Sequence, residues 1–377
     1  MTFVPSEPAF APQSNLGSDR DDGAPVGEEI VLSECPRTGE RAGEVFRRLA
    51  AELERRQATC VALFIYGNVA SAETEEALGA CFGGTEIPVT WVECAATDEV
   101  SPLAGVQAIA WSGGEVRRIR IGGRVVGSVY RDNAAEHCWL GGIRPQVLSL
   151  PRAAQVQQML GVAELALDLA GFELRDVVRT WFYNDDILAW YGDFNRVRTA
   201  HYVGTRWRSG AVPASTGIGA KNRFGAVLEV AFRAWRPLRE AGTATTAPCE
   251  VFSPLQCPAP AYGSSFSRAM EVTVGSRRWL TVSGTASIHP DGRTAHEGDA
   301  VAQVDLTMRV VGAILASRQF SWNDVQRATA YFRRPEDVVC LRAWLARHGL
   351  REMPVVETAS VVCRDDLLFE IEVDVLA

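Results

Sequence analysis

Two segments of the chain, 155–183 and 303–331, share one pattern of apolar and polar positions at a constant offset of 148 residues, without a gap. Phe172 falls on Phe320, and Tyr183 falls on Tyr331. In each segment, apolar residues recur at helical spacing, and a short loop then leads into an alternating stretch that ends in tyrosine. Each copy therefore predicts a helix followed by a strand, and the repetition predicts one structural unit that occurs twice.

Further strands are predicted on both sides of these helices. Hairpin strands are expected at 117–121 and 124–130 in one copy, and at 269–274 and 279–283 in the other. A proline opens a later strand in each copy, at Pro213 and at Pro354. The resulting order is β-β-α-β-α-β-like, which favours an α+β class with helices packed on one face of a mixed or antiparallel sheet.

A fainter third copy precedes the other two, with a helix at about 44–57 that leads into a strand at 60–66. We therefore predict a degenerate unit at 29–104, a middle unit at 105–240 and a C-terminal unit at 261–377. The segment 241–260 is rich in Ala, Thr and Pro and is expected to be a linker. Residues 1–28 are rich in Pro, Ser, Gly and Asp and are expected to form a disordered arm.

Composition narrows the class of protein. The chain has 377 residues, of which 47% are apolar, and no apolar run reaches the length of a membrane span. The N-terminus lacks the pattern of a signal peptide, so a cytoplasmic protein is expected. A net charge of −8 without a basic block disfavours nucleic-acid binding. Nine cysteines without a CxxC pair are expected to be reduced thiols rather than a zinc site, and no metal or cofactor is implied.

The motifs of the last unit resemble the RidA (YjgF) fold. They comprise the run 283–286, the pairs 303–304 and 324–325, a strand opened by proline, and the strand 369–373. The resemblance covers the last 120 residues and is fair for 105–236. Proteins of that superfamily are usually homotrimers with ligand sites between subunits. Three fused units therefore imply a pseudo-trimer within one chain, and we expect a monomer.

A closer resemblance, over about 105–377, is to the chorismatases, RidA-like enzymes that remove pyruvate from chorismate. The segments 179–183, 190–198, 213–219 and 362–372 carry it. One branch of that family hydrolyses chorismate to a dihydroxycyclohexadiene carboxylate, and another aromatises the ring to 3-hydroxybenzoate, typically as a starter unit for secondary metabolites. In the aromatising branch, a cysteine lies seven residues before the catalytic glutamate. Cys363 and Glu370 have the same spacing in this chain. The resemblance therefore implies the 3-hydroxybenzoate-forming type.

The same resemblance implies two catalytic residues. Glu370 lies between apolar residues in a strand of period two, where burial would raise its pKa and suit it to act as a general acid. Glu372 and Asp374 share its face and are expected to be solvated. Cys363 is expected in an apolar strand that faces Glu370 across a turn at 364–366, and the resemblance implies that its thiol directs the ring intermediate.

Chorismate carries two carboxylates, which call for guanidinium groups and free backbone N–H groups. Arg198 is the candidate for one carboxylate, and Arg333, Arg334 and Arg342 compete for the other. The remaining candidates for substrate contact are residues that supply hydroxyl groups, aromatic walls or space for the ring: Ser215, Thr216, Gly217, Tyr262, Phe266, Gly284 and Ala286.

Other functions remain open at this point. A chorismate hydrolase would share the fold and Glu370 but release a different product. An imine deaminase of the RidA type is disfavoured, because its arginine after the strand-opening proline is replaced by Ala214 and Val355. A non-catalytic metabolite-binding protein with the same fold is the third possibility. The five histidines form no HxxxH or Ser-His-Asp pattern and receive no role.

Overall fold

The computed structural model describes residues 27–83, 86–95, 101–238, 245–274 and 277–377, so most of the predicted N-terminal arm lies outside the described residues. The first unit is a four-stranded sheet with the order β1-β4-β2-β3, in which only β2 and β3 run parallel. Its elements are β1 (Glu29–Glu34), α1 (Ala42–Arg55), β2 (Thr59–Gly67), α2 (Ala72–Phe82), β3 (Val89–Glu93) and β4 (Leu103–Trp111).

The second unit is a six-stranded sheet with the order β5-β6-β7-β10-β8-β9. Its elements are β5 (Arg117–Ile121), β6 (Arg124–Arg131), β7 (Ala135–Ile143), α3 (Arg152–Ala170), β8 (Val177–Asn184), α4 (Ile187–Tyr202), β9 (Ala214–Gly219) and β10 (Leu228–Pro237). Its single parallel pair is β8 with β9.

The third unit repeats that order as β11-β12-β13-β16-β14-β15. Its elements are β11 (Thr245–Val251), β12 (Ala269–Val274), β13 (Arg277–Ala286), α5 (Ala300–Ser317), β14 (Val325–Phe332), α6 (Val338–Arg347), β15 (Val355–Ala359) and β16 (Phe369–Leu376). The first sheet corresponds to the last four strands of this order and lacks the two outer strands. The α+β class and the tandem units are therefore confirmed.

The unit boundaries differ from the predicted ones in two places. The predicted boundary between residues 104 and 105 falls inside β4, which pairs with both β1 and β2 and is a central strand of the first sheet. The segment 241–260 was predicted to be a linker, but β11 pairs with β12 and forms the edge of the third sheet. In both cases the sequence is locally compatible with a strand or a loop, and a hydrogen-bonded neighbour distant in sequence decides which one forms.

Local sequence explains how the repeated helices begin and end. The Asp299 carboxylate accepts the N–H of Ala302 at 3.0 Å and so caps α5. Helix α3 ends at Gly171, whose φ of 84° lies in the left-handed region that glycine adopts without strain. Helix α5 is also long and apolar enough to cross a membrane, with a mean hydropathy of 1.4, but 50% of it is buried in this fold, where it packs on β13 and β16.

Each sheet is covered on one face by its own two helices and on the other face by the neighbouring units. The inner faces share an apolar core to which all three sheets contribute. Tyr66, Tyr183 and Tyr331 occupy corresponding positions in β2, β8 and β14 and are all buried. The hydroxyl oxygens of Tyr66 and Tyr183 lie 3.3 Å apart. The units are thus arranged as a pseudo-trimer.

The edge strand of one unit lies against the next unit at each seam of the pseudo-trimer. Strand β9 lies beside β13, and backbone bridges join Ala214 to Ser267 and Gly219 to Val361. Strand β3 lies beside β7, and β15 lies beside β4. The fold therefore contains three related clefts, one at each seam.

Candidate active site

The cleft between the second and third units contains a cavity with about 520 Å³ of empty space, counting the solvent at its mouth. Helix α4 and strand β9 supply one wall, and β13, β16 and the loop between β15 and β16 supply the other. The cavity is lined by Tyr191, Arg198, Ser215, Gly217, Ser264, Phe266, Arg268, Gly284, Ala286, Ile288, Cys363, Arg364, Leu367 and Glu370. The cavity is therefore built by residues of two units.

Glu370 lies on the floor of the cavity, in β16 between Tyr331 of β14 and Ala286 of β13. Its side chain is only 5% exposed. Burial and the negative charge of Glu372 together raise its pKa to about 8, although the nearby Arg179, Arg268 and Arg364 oppose the shift. Glu370 is thus a protonated carboxylic acid at neutral pH, which can donate a proton.

Gly284 makes room for this acid. A Cβ atom at position 284 would collide with Oε1 of Glu370 and would press on the methyl group of Thr216. The backbone N–H of Gly284 donates to the Thr216 hydroxyl at 3.0 Å. A glycine is therefore required where β13 passes the acid, because the two approach too closely for any side chain.

A buried ion-pair network lies behind Glu370. The carboxylate of Glu372 is fully buried and accepts hydrogen bonds from Arg179 at 2.6 Å, from Arg327 at 2.7 Å, from the Trp181 indole at 3.0 Å and from the Thr216 hydroxyl. Glu372 is thus an ionised group held in place two residues from the acid. Because the two carboxyl groups lie on the same face of β16, the fixed charge favours the protonated form of Glu370.

Arg198 presents a buried guanidinium to the cavity. It is 1% exposed, its Nε has no hydrogen-bond partner in the described part of the chain, and its terminal nitrogens donate to Asn195 at 2.7 Å and to Ser215 at 3.4 Å. Among the residues that the structure describes, no carboxylate forms an ion pair with it. A buried guanidinium without a counter-ion is costly, so this position suits an anionic group of a ligand.

Two further arginines line the cavity, and the sequence analysis missed both. Arg268 is 2% exposed, donates from two nitrogens to the Cys257 carbonyl at 3.0 and 3.1 Å, and precedes β12. Arg364 follows Cys363 and donates to the Gly292 carbonyl at 2.7 Å. The position of Arg364 next to Cys363 could have indicated that it lines the cavity. Nothing in the sequence around Arg268 indicates that it lies at the seam.

Cys363 faces the same cavity as Glu370, but it lies in the loop after β15 rather than in a strand. The predicted turn is present at 365–366. Burial and the charge of Glu370 raise the pKa of the Cys363 thiol to about 12. The group at the cavity wall is therefore a neutral thiol near pH 7.

Most of the residues predicted to contact substrate do line the cavity: Arg198, Ser215, Gly217, Phe266, Gly284 and Ala286. Thr216 supports it from behind, because its hydroxyl donates to Glu372 and accepts from Gly284 and Arg179. The backbone of Tyr262 lies in a 3₁₀ turn at Ala259–Tyr262, and its side chain lies outside what the structure describes.

Arg333 and Arg342, which the sequence analysis predicted to contact substrate, are not among the residues that line the cavity. Arg333 donates to the carbonyls of Arg364 and Asp365 at 3.1 and 2.6 Å, so it holds the loop that carries Arg364. Arg342 forms a surface ion pair with Glu357 at 2.6 Å. Arg334 pairs with Asp337 at the surface. Each guanidinium already has a partner within its own unit.

The expectation that Glu372 and Asp374 are solvated was also wrong. Asp374 accepts from Thr281 at 2.5 Å and from Arg327 at 3.0 Å, and its side chain is mostly buried. The acidic face of β16 is turned toward the other two units rather than toward water. The alternation of apolar and acidic residues in this strand therefore does not mark one buried face and one solvent-exposed face. Among the described residues, no cluster of three His, Cys, Asp or Glu side chains could hold a metal ion.

The chain is similar to several known proteins. No family model matches the chain. A curated 3-hydroxybenzoate synthase from Streptomyces hygroscopicus is 27% identical over 234 residues, which cover 54% of this chain and 64% of that protein. A curated chorismatase from Streptomyces rapamycinicus is 29% identical over 214 residues, which cover 52% of this chain and 63% of that protein. The matched segments thus span less than two thirds of the length of either relative.

A crystal structure of a chorismatase matches 93% of this chain and 99% of its own, at 21% identity and a TM-score of 0.63. The chain therefore shares the fold of that chorismatase over nearly its whole length. The resemblance to chorismatases that the sequence motifs predict is confirmed by these relatives.

Proposed function

We propose that the chain is a chorismatase that removes pyruvate from chorismate, with Glu370 as the general acid, and that it forms 3-hydroxybenzoate. One observation supports the proposal above all. A buried carboxylic acid with a pKa raised to about 8, Glu370, and a buried guanidinium that no described carboxylate pairs with, Arg198, line one cavity. The similarity to relatives named 3-hydroxybenzoate synthase and chorismatase supports the choice of substrate.

The proposed reaction begins with binding of the two substrate carboxylates. Arg198 takes one of them, and Arg268 and Arg364 on the opposite wall are placed to take the other. The ring then lies over Gly284 and Ala286, where small residues leave space. Charge-assisted hydrogen bonds of this kind fix the orientation of the enol ether toward Glu370.

Glu370 then donates its proton to the methylene carbon of the enolpyruvyl ether, which becomes the methyl group of pyruvate. The neighbouring ring hydroxyl oxygen displaces the ether oxygen and forms an arene oxide, and its proton returns to the Glu370 carboxylate. Opening of the arene oxide and loss of a ring proton give 3-hydroxybenzoate. One chorismate thus yields one pyruvate and one 3-hydroxybenzoate, with no water or redox partner consumed. General acid catalysis of this kind is worth about 10²–10⁴-fold in rate.

Cys363 is assigned the role of directing the outcome. Because its thiol is neutral, with a pKa of about 12, it acts through packing and S–H hydrogen bonding against the ring rather than as a thiolate nucleophile. A hydrolase would instead admit water to the same intermediate and release a non-aromatic diol acid. The geometry around Cys363 therefore decides between the two products.

The test is incubation of the purified protein with chorismate and identification of the products by chromatography and mass. We expect pyruvate and 3-hydroxybenzoate in equal amounts, and a loss of about 10²–10⁴-fold in kcat/KM for Glu370→Gln. Cys363→Ala should keep pyruvate release and shift the ring product toward the diol acid, with Cys340→Ala, a half-buried cysteine of α6 outside the cavity, as the matched control. A diol acid from the wild-type protein would place the chain in the hydrolytic branch. The absence of pyruvate above the spontaneous background would refute the proposal.

A further inference from the structure

The cleft between the first and second units is a structural counterpart of the candidate active site. Glu229 of β10 pairs with Tyr183 in the ladder, as Glu370 of β16 pairs with Tyr331. The backbone N–H of Gly142 donates to the Thr90 hydroxyl at 3.1 Å. The corresponding bond from Gly284 to Thr216 measures 3.0 Å. The cleft between the first and second units thus has both the buried carboxyl group and the glycine–threonine hydrogen bond beside it.

The side chains around Glu229 differ from those around Glu370. Trp91 occupies the position in β3 that Gly217 occupies in β9, and its backbone N–H donates to Oε1 of Glu229 at 2.9 Å. Arg144 follows Gly142 at the same spacing as Ala286 follows Gly284. The small residues that leave the candidate active site open are therefore replaced in this cleft by bulky and charged residues.

Two arginines in this cleft are stacked on aromatic rings. The guanidinium of Arg144 lies 3.4 Å from the centre of the Phe224 ring, and that of Arg223 lies 4.7 Å from the centre of the Trp91 ring. Stacking fixes the plane of a guanidinium and leaves its N–H edge directed outward. Such an edge suits the oxygens of a carboxylate, sulfate or phosphate group.

The positive charges of Arg124 and Arg144 in this cleft are not balanced by an ion pair among the described residues. Arg124, Arg144 and Arg223 all act electrostatically on Glu229, and Arg124 and Arg223 both act on Arg144. Among the described residues, Arg124 has no ion pair, Arg144 donates only to the Gly142 carbonyl at 3.4 Å, and Arg223 pairs with Glu75 at the surface. The cluster is notable in a chain whose net charge is −8.

Glu229 supplies only part of the missing negative charge at pH 7 and little of it at lower pH. It is fully buried, its Oε2 has no hydrogen-bond partner among the described residues, and burial raises its pKa to about 7 although the three arginines oppose the shift. Burial together with the like charges of Arg124 and Arg223 also lowers the pKa of Arg144 to about 10. Three arginines therefore face a carboxyl group that is at least half protonated below pH 7.

We propose that the cleft between the first and second units is a second, non-catalytic site that binds a small oxyanion, a carboxylate or a sulfate- or phosphate-like group, on Arg124, Arg144 and Arg223. The bound anion supplies the charge that the arginines lack. Trp91 fills the space that a ring occupies in the other cleft, so this site takes the anionic group alone rather than the whole substrate.

The affinity of this site for anions should depend on pH in a characteristic way. The charged groups that face Glu229 are Arg124 from β6, Arg144 after β7 and Arg223 after β9, and the pKa of Arg144, about 10, keeps it charged over this range. As the pH rises through 7, Glu229 ionises, neutralises part of the positive charge of Arg124 and Arg144 and competes with the ligand. Anion affinity should therefore fall by about tenfold between pH 6 and pH 8, as expected for one added charge at close range in a half-buried site.

Calorimetric titration with sodium sulfate and with sodium benzoate, at pH 6 and pH 8, tests the site in the full chain. Both probes stay ionised over this range, so any pH dependence belongs to the protein. Arg144→Met and Arg124→Met should each weaken binding by about tenfold or more, as expected for the loss of a charge-assisted contact. The titrations are made in the Arg198→Met background, so that the anion-binding group of the candidate active site does not contribute. In that background, Glu229→Gln should keep the binding and abolish its pH dependence.

Binding of sulfate, of benzoate or of both, lost in either arginine variant, supports the site and identifies the group it accepts. If neither probe binds, or if both arginine variants bind as the wild type does, the proposal is wrong. A pH dependence that survives in Glu229→Gln would refute the role of that carboxyl. Circular dichroism of each variant distinguishes a lost site from a lost fold. None of these readouts depends on turnover of chorismate, so they are independent of the proposed function.

Discussion

Replacing the buried acid should make the protein more stable at high pH. A carboxyl group whose pKa is raised in the folded state binds its proton more tightly there than in the unfolded chain, so stability falls as pH rises from the unfolded pKa to the folded one. For Glu370 that window runs from 4.5 to about 8. At 1.36 kcal/mol for each pKa unit, the loss amounts to about 5 kcal/mol across the window.

Glu370→Gln keeps the shape of the protonated acid and removes the titration. Its free energy of unfolding should match that of the wild type near pH 5 and should exceed it by up to about 5 kcal/mol at pH 9. Urea denaturation followed by the fluorescence of the ten tryptophans, repeated at intervals from pH 5 to pH 9, measures this difference.

Glu229→Gln is the matched control, since Glu229 occupies the corresponding position in β10. Burial raises the pKa of Glu229 to about 7, so the pH range over which it destabilises the fold runs from 4.5 to about 7. The loss in the free energy of unfolding across this range is about 3 kcal/mol. A difference between Glu370→Gln and wild type that stays constant with pH would refute the argument, because it would mean that Glu370 titrates in the folded protein as it does in the unfolded chain.

Three further outcomes follow from the site. Arg198→Met should raise KM for chorismate by about tenfold or more, whereas Arg342→Met on the surface should leave steady-state kinetics unchanged; equal effects would contradict the assignment. Gly217→Trp should fill the cavity as Trp91 fills the other cleft, so turnover should be lost while the melting temperature is retained. Glu372→Gln should lower the free energy of unfolding by about 3–5 kcal/mol in a denaturation experiment, because two buried guanidinium groups lose the charge that they share; a change below 1 kcal/mol would show that the network is replaceable.

Local sequence was enough to predict the repeated unit. Periodicity locates the amphipathic helices, and turn residues locate the strand ends, because both depend on neighbours three or four positions away. It was not enough to assign β4 or β11. Whether such a segment becomes a central strand, an edge strand or a linker depends on whether a distant strand offers its hydrogen bonds, and sequence periodicity carries no record of that partner.

Single residues of the site show the same division. Glu370, Cys363 and Arg198 were found from motifs that resemble a known family, and the cavity brings all three together. Arg268, which lines the cavity, was missed, and Arg342, which lies outside it, was predicted to contact substrate. A lone arginine looks the same in sequence whether it lines a cavity or pairs with a nearby glutamate at the surface.

The sequence by itself determined the elements, their order and the presence of a repeat, since these follow from short-range propensity and the spacing of apolar residues. The tertiary structure decided which face of each sheet is buried. Packing three sheets together turns the acidic face of β16 inward, so that Glu372 becomes a buried counter-ion and Glu370 a protonated acid. Burial and charge at a seam arise from side chains that meet only when the units assemble, so the chemistry of the clefts belongs to the assembled pseudo-trimer.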